Sequence, residues 1–540
     1  MRVVRSLLLC HFLCFALTAS PFGAMAETLR AIVLTTPTDA RATPSAPIDV
    51  GAIPALDTDA AREALRPFLG EDVDQALVHA VRDTVQAQMD AHGRPYAAVS
   101  VPAQDIAGGI MRVRVEELRI GAIRVEGNAW FGADQYIDAM RMRVGEPFDA
   151  ATLAGDLGWI NRNPFRRATA FLATGARPGD TDLVLDVKDR LPVEYRLGFD
   201  NTGTSSTGLY RLGAGISWGN AFWRGDQLTY NFVVGPDLLR LRQHVVGYTA
   251  DLPWRDTIGV TASLADTRGE SVDDIATNGR TVGVSVRYSM PLIGTPRMAH
   301  RLDVGFDYKS TNSNVLSGGV LVFPTTTDIG QFVLDYAGQV IDGLGSTAFV
   351  VAIIGSPGHL LARNNTTAFA TQQIGAAANY VYGRLTVERQ TPLPAGFAWN
   401  TRLTAQYGDA ILLPSEQLSF GGVQSVRGFV EQGVTRDHGV LLQNEWRAPP
   451  IPTGLTRALN LDADTDTLTP FVFMDIGYGA NHREIAGLRR SWVGLIGVGP
   501  GVVLQVTRQA ALRLTWGIPL TRVGQVGSLL GPQFGLQLAF

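Results

Sequence analysis

The run Val426-Arg427-Gly428-Phe429 sets a single cation among apolar neighbours, in a stretch (419–439) too rich in glycine for a helix and too broken for a strand. A guanidinium offers a planar fork of donors that grips a carboxylate with two bonds, so the arginine implies an acidic partner elsewhere. Phe473-Met474-Asp475-Ile476-Gly477 likewise sets a single charge, an acidic one, among apolar neighbours. Other spacings with chemical precedent lead nowhere. Gly215-Ile216-Ser217-Trp218-Gly219 has the form G-x-S-x-G, but that motif works only on a strand-to-helix turn, and Ser217 lies inside an alternating run. Gly497-Val498-Gly499-Pro500-Gly501 lacks the spacing of a dinucleotide fingerprint. The eight histidines are scattered without metal-ligand spacing. The expectation is a protein that is not an enzyme and holds no metal or cofactor.

The elements that must position Arg427 and Asp475 have a period of two. In 193–200, Val193, Tyr195, Leu197 and Phe199 alternate with Glu194, Arg196, Gly198 and Asp200. The scheme returns at 227–234, 281–290 and 512–518, and about sixteen such segments fit between 193 and 540. Each has roughly the length of a tilted membrane strand. Aromatic residues gather near segment ends (Trp218, Phe222, Trp223, Trp254, Tyr380, Tyr382), as membrane interfaces favour, and the chain ends as an alternating strand at Phe540. Hydrocarbon supplies no hydrogen bonds, so a sheet with one lipid face must close into a barrel. A barrel of that size encloses an aqueous channel unless something fills it.

Residues 1–26 have the parts of a secretory signal peptide: Arg2 and Arg5, an apolar run from Leu7 to Ala19, and Ala24-Met25-Ala26. Cys10 and Cys14, the two cysteines, both fall in it, which suits an oxidising compartment. Beyond it, 44 basic residues face 50 acidic ones, and Lys188 and Lys309 are the only lysines. This balance gives no reason to expect a nucleic-acid partner.

Residues 58–192 do not alternate. Helices are expected at 58–65, 72–92, 134–143 and 150–162, with strands at 96–101, 110–115, 120–125, 167–173 and 181–187. Asn163-Pro164 stops the last helix. Two small β-α-α-β-β units follow one another, and their free sheet edges could accept an extended peptide as an added strand. Leu29–Leu34 fits the first strand of the first unit, while Pro37, Pro44 and Pro47 mark a linker.

Several motifs together resemble the TpsB outer-membrane transporters of two-partner secretion, the ShlB/FhaC/HecB type of haemolysin activation/secretion protein. They are Gly93-Arg94-Pro95-Tyr96, Val101–Ile106, Trp159–Arg166 with its core Asn161-Arg162-Asn163-Pro164-Phe165, and Gly179–Leu183. Asp200–Gly203, Val426–Phe429 and Phe473–Gly477 complete the set. The resemblance covers nearly all of the chain after residue 26. It implies α+β POTRA modules followed by a 16-stranded antiparallel transmembrane β-barrel. The expected division is 1–26, 27–118 (N-terminal segment and first POTRA), 119–191 (second POTRA) and 192–540 (barrel). It also implies residence in the bacterial outer membrane with the POTRA domains in the periplasm. The function implied is export of an unfolded exoprotein, a TpsA-like adhesin or haemolysin. Outer-membrane lipid and the barrel-assembly machinery, which reads the terminal Phe540, are further partners. A factor that inserts other outer-membrane barrels is the alternative, and a plain diffusion porin has no use for 58–192.

The resemblance further implies that the loop at about 409–438, between strands 11 and 12, folds back into the lumen. Some members carry an N-terminal plug helix; residues 27–57, with their prolines, do not read as one. Counting by twos puts Asp475 with Phe471 and Phe473, a face that would suit lipid, whereas Met474, Ile476 and Tyr478 suit it equally well. A charge on the lipid face is costly, so Asp475 is assigned to the lumen, within reach of Arg427. Val426, Arg427, Gly428, Phe429, Asp475 and Gly477 are then a lumen latch, with Phe429 an apolar anchor. Asn161–Phe165 is either a helix-ending turn or a substrate-docking surface.

Overall fold

The computed structural model describes residues 27–39, 44–106, 108–177, 180–204, 206–269, 275–317, 320–323, 325–458, 466–483, 491–524, 526–529 and 531–540. The signal-peptide expectation for 1–26, and Gly179 of the second-unit motif, lie outside the described residues.

The first unit is a four-stranded sheet in the order Ile48–Asp49, Ala31–Thr35, Ile110–Glu116, Ala98–Ser100. Ala31–Thr35 is buried throughout and pairs in parallel with Ile110–Glu116, so this part of 27–57 belongs to the module's sheet. The helix Gln75–Ala91 is capped by Asp74, whose side chain accepts from the Leu77 amide at 2.7 Å. Leu77, Val81, Val85 and Met89 recur every four residues, which places them on one helical stripe, and all four are buried. They meet Met111, Val113 and Val115, the buried alternate residues of the central strand.

The second unit has the sheet order Arg119–Glu126, Asp180–Asp189, Arg166–Thr174, with helices Ala133–Asp138 and Ala150–Ile160. The helix expected at 134–143 stops at Asp138. The cause is Asp156, fully buried, whose carboxylate accepts from the Arg141 and Met142 amides at 2.8 and 3.4 Å and draws 141–142 out of the helical path.

Among the described residues nineteen strand segments close the barrel; 320–323, 451–452 and 518–519 are short extras, leaving sixteen full strands. In chain order these are Val193–Asp200, Arg211–Ala221, Asp226–Val234, Leu241–Asp251, Thr257–Arg268, Ile275–Pro291, Met298–Ser317 and Thr326–Asp342, then Gly345–Pro357, Asn379–Pro392, Ala398–Gly408, His438–Arg447, Thr467–Ala480, Trp492–Gln505, Ala510–Trp516 and Pro532–Ala539. Neighbours are antiparallel, and the sixteenth closes on the first from Gly535↔Asp200 to Ala539↔Arg196. Phe540 continues that seam: its amide donates to the Tyr195 carbonyl at 2.8 Å, and its side chain is exposed.

The alternation predicts the outer face well. Val260 and Val286 are cross-strand partners, and both are exposed. Trp218, Phe222 and Trp223 cluster at the second turn. Tyr380 and Tyr382 correct the expectation of an interface girdle. Both are buried inside the barrel, because their hydroxyls donate to Gln331 Oε1 at 2.7 Å and Glu416 Oε2 at 2.9 Å.

Candidate functional site: a loop seated in the barrel

Between the eleventh and twelfth strands the chain turns inward. It first forms a two-stranded ribbon, Leu418–Phe420 against Val434–Arg436, and the tip beyond it carries Val426–Phe429. Arg427 is 2% exposed. Its Nε donates to Asp475 Oδ2 at 2.6 Å and its Nη2 to Asp475 Oδ1 at 2.7 Å, a two-bond grip. The Arg427 amide adds a third bond to Oδ2 at 3.1 Å. The remaining branch, Nη1, donates to Glu445 Oε1 at 2.6 Å. Burial works to lower the Arg427 pKa, but the bonds and charges of Asp475 and Glu445 prevail and raise it above its ordinary value. The guanidinium thus stays a cation, as a fork matched to two carboxylates requires.

Asp475 is fully buried and lies on the face of Phe471 and Phe473, which are buried too, whereas Val472 and Tyr478 are exposed. The two phenylalanines face inward because cations lie over them. The Arg427 guanidinium sits 3.7 Å from the Phe473 ring centre, and that of Arg513 sits 4.5 Å from Phe471. An aromatic face attracts a cation, which gives these rings a use away from lipid.

The backbone of the tip lies almost against the wall. Gly428 has φ +93°, which favours glycine. A Cβ on Gly497 would meet the Arg427 carbonyl oxygen at 1.9 Å, and one on Gly517 would meet the Gly428 nitrogen at 2.2 Å. Gly477 leaves the space filled by Val426 and Phe420. Val426 and Phe429, both fully buried, join Phe420, Leu441, Val493 and Leu495 in an apolar cluster. Beside Arg427 a cavity of about 340 Å³ is lined by Arg402, Gln443, Glu445, Arg447 and Arg513.

The run 161–165 has a different character. Asn161, Arg162 and Pro164 are exposed, while Asn163 and Phe165 are buried. Asn163 Nδ2 donates to the carbonyls of Gly219 (2.6 Å) and Gly225 (3.3 Å), and its Oδ1 accepts from the Phe165 amide at 3.1 Å. The Phe165 ring covers Gly219, where a Cβ would lie 2.1 Å from it, and the Arg190 guanidinium lies 4.6 Å from the ring centre. These bonds fix the run to the turn between the second and third strands.

The sequence reading missed Glu445, Arg513 and the wall glycines 497 and 517. Glu445 was findable: Gln443, Glu445 and Arg447 alternate with Asn444 and Trp446, and Trp446 is an outward residue. The glycines carry no local signal, because their partner is a loop distant in sequence. Ser217 sits within the second strand and accepts from Arg196 Nη2 at 2.9 Å, with no helix following it.

Comparison with known proteins agrees with this architecture. The family of haemolysin secretion/activation proteins ShlB/FhaC/HecB matches residues 179–504, and the ShlB-type POTRA domain matches 46–117. The heme/hemopexin transporter protein HuxB of Haemophilus influenzae (strain 86-028NP) is 20% identical over 476 residues, covering 86% of this chain and 81% of HuxB. The outer membrane transporter CdiB of Dickeya dadantii (strain 3937) is 23% identical over 428 residues, 73% of this chain and 69% of CdiB. The solved structure of CdiB from Escherichia coli superposes with a TM-score of 0.74 at 18% identity, over 96% of this chain and 92% of that one.

Proposed function

This chain belongs to the haemolysin secretion/activation protein ShlB/FhaC/HecB family and is an outer-membrane transporter of two-partner secretion with POTRA modules in the periplasm; from that premise we propose how it moves its cargo. The cargo is one large secreted exoprotein, an adhesin or haemolysin, which passes the barrel unfolded after its extended chain adds to a free POTRA sheet edge. Residues 1–26 direct the transporter itself to the periplasm, and Phe540 at the seam is read by the machinery that folds it into lipid. The domain division 1–26, 27–118, 119–191 and 192–540 is part of the same proposal.

In this proposal Val426–Phe429 with Asp475 and Gly477 is a latch. While Arg427 holds Asp475 and Glu445, the tip occupies the lumen; export requires it to move. The observation that carries this reading is the grip of Arg427 on the two carboxylates of the wall. Asn163 and Phe165 keep the run 161–165 in place, and docking of cargo there falls to exposed Asn161, Arg162 and Pro164.

The test is a secretion assay with the exoprotein encoded beside this gene, using wild type and Arg427→Ala, with barrel folding followed by heat-modifiability. Release by wild type and not by the folded variant is expected. Equal release by both would sink the latch, and release without the transporter would sink the export reading for that cargo.

A further inference from the structure

The loop carries a second buried charge that the Arg427 grip does not use. Glu416, where the loop leaves the wall, is 1% exposed. Its carboxylate accepts from Lys309 Nζ at 2.8 Å, Tyr382 Oη at 2.9 Å and Gln331 Nε2 at 3.1 Å. These donors come from the seventh, tenth and eighth strands. The partners of Arg427 stand instead on the twelfth and thirteenth. Root and tip are therefore tied to separate stretches of wall by charges of opposite sign.

The root is also closed upon itself. Gln406 Nε2 donates to the carbonyls of both Glu416 (3.0 Å) and Asp437 (3.1 Å), joining the two ends of the loop. Asp437, fully buried, accepts from the Leu412 amide and Gln417 Nε2, each at 2.8 Å, and from the His482 amide at 2.9 Å. Leu412 and Leu413 pack with Phe369 and Tyr380 in an apolar cluster. Between this root and the tip stand Gly421 and Gly422, with φ of +99° and +101°, a consecutive pair in backbone conformations that favour glycine.

The chemistry of the anchor is selective. A buried carboxylate is tolerated when paired and hydrogen-bonded, and Glu416 has a cation and three neutral donors, the third being the Ser415 hydroxyl at 3.1 Å. Burial pushes its pKa up, but Lys309 and the bonds from Tyr382 and Gln331 outweigh this and hold it below the ordinary glutamate value. The cation is one of only two lysines in a chain that otherwise uses arginine. A compact ammonium is a point charge that leaves the other lone pairs of Glu416 open to Tyr382 and Gln331, where a guanidinium fork would compete for both oxygens.

We propose that Glu416 is a positioning residue of the transporter: with Lys309 it keeps the root of the loop on the wall, so that release of Arg427 swings the tip alone about Gly421-Gly422. This rests on the latch reading above and adds what stays fixed while the latch opens.

Single cysteines test it in the full-length protein, since the sequence has no cysteine after Cys14. Ser419, on the ribbon, has its hydroxyl buried without a hydrogen-bond partner, and Ser425, in the tip, is 5% exposed. Ser419→Cys reports the root and Ser425→Cys the tip, by rate of labelling with a maleimide in outer-membrane vesicles. Arg427→Ala should speed labelling at 425 about tenfold or more and leave 419 at its wild-type rate. Glu416→Gln and Lys309→Met should each speed 419 by a similar factor, and the exchange Glu416→Lys with Lys309→Glu should restore protection. Heat-modifiability identifies variants whose barrel has folded. Root labelling that is unchanged in folded Glu416→Gln, or freed by Arg427→Ala as much as the tip is, overturns the proposal. An unmoved tip in Arg427→Ala with a freed root in Glu416→Gln overturns the latch instead and leaves the root anchor standing.

Discussion

The tip of the loop and the run Asn161–Phe165 each bury a phenylalanine, and they differ in the polar contact beside it. Each brings a short irregular segment close to glycine backbone of the barrel wall: Gly497 and Gly517 for the tip, Gly219 for the run. The run is held by a neutral amide and a buried ring. Opening it would strip Asn163 of its bonds and expose Phe165, both of which remain unfavourable in water. The tip buries Val426 and Phe429 as well, but adds a charged grip that the run lacks. Released, Arg427, Asp475 and Glu445 hydrate, and the cavity beside them gives water access. Desolvation offsets much of what a buried ion pair gains, so such a contact is firm in place yet reversible. The difference suggests which contact is built to stay and which to open.

The sharpest way to break this comparison is Phe165→Ala. Deleting a buried ring typically costs about 3–5 kcal/mol, so the midpoint for unfolding in urea should fall clearly while Ser425→Cys in the tip labels at its usual rate. A freed tip in that variant would mean that the two contacts are one structure.

Arg427→Ala should do the reverse. Removing one partner of a buried pair costs about 3–5 kcal/mol, reduced here by the adjacent cavity. Channel conductance in planar bilayers should rise and secretion fall, with little change in the unfolding midpoint. Arg427→Lys keeps the charge but cannot bond both oxygens of Asp475 and Glu445 at once, and should recover only part of the closure. Gly517→Ala sharpens the comparison without touching a charge. Its Cβ meets the Gly428 nitrogen, and overpacking of this kind costs about 1–3 kcal/mol. The same rise in conductance, smaller in size, is expected.

How much of this could be read beforehand follows from the range of each signal. The barrel was legible because alternation is local: Val282, Val284, Val286 and Tyr288 declare a strand without reference to anything distant. Arg427 and Asp475 were legible as a pair only through the resemblance, since counting by twos left the face of Phe471, Phe473 and Asp475 undecided. The deciding fact is that guanidinium groups from the inserted loop and the fifteenth strand cover the two rings. Tyr380 and Tyr382 misled for the same reason, because an aromatic near a strand end suits either an interface or a buried hydroxyl, and Gln331 and Glu416 chose the second. Helix 133–138 ended early through Asp156, a residue in the following helix. In each case a side chain far along the chain overruled a local pattern.

The smallest effect concerns pH and would refine the comparison by showing that the tip senses its surroundings where the run does not. Glu431 stands in the tip with Oε1 accepting from the Val423 amide at 2.7 Å and Gln533 Nε2 at 3.1 Å. Burial, helped by the charge of Asp200, pushes its pKa up to about 7 against the pull of the Val423 bond. A carboxyl raised in the seated state favours seating while it is protonated. As pH climbs from the ordinary glutamate value of about 4.3 toward 7, a released tip has already lost this proton and a seated one has not, so seating weakens over that interval and levels off above it. Glu431 is only partly buried, so the expected change in channel opening between pH 5 and pH 8 is about tenfold or less, with the more open channel at pH 8. Glu431→Gln should flatten that profile at the closed end while leaving the Arg427 grip intact. Conductance recorded across the same pH range in both proteins decides it: a slope that survives the substitution assigns the response to another carboxyl of the loop, and a slope of the opposite sign removes Glu431 from the account of how the tip is held.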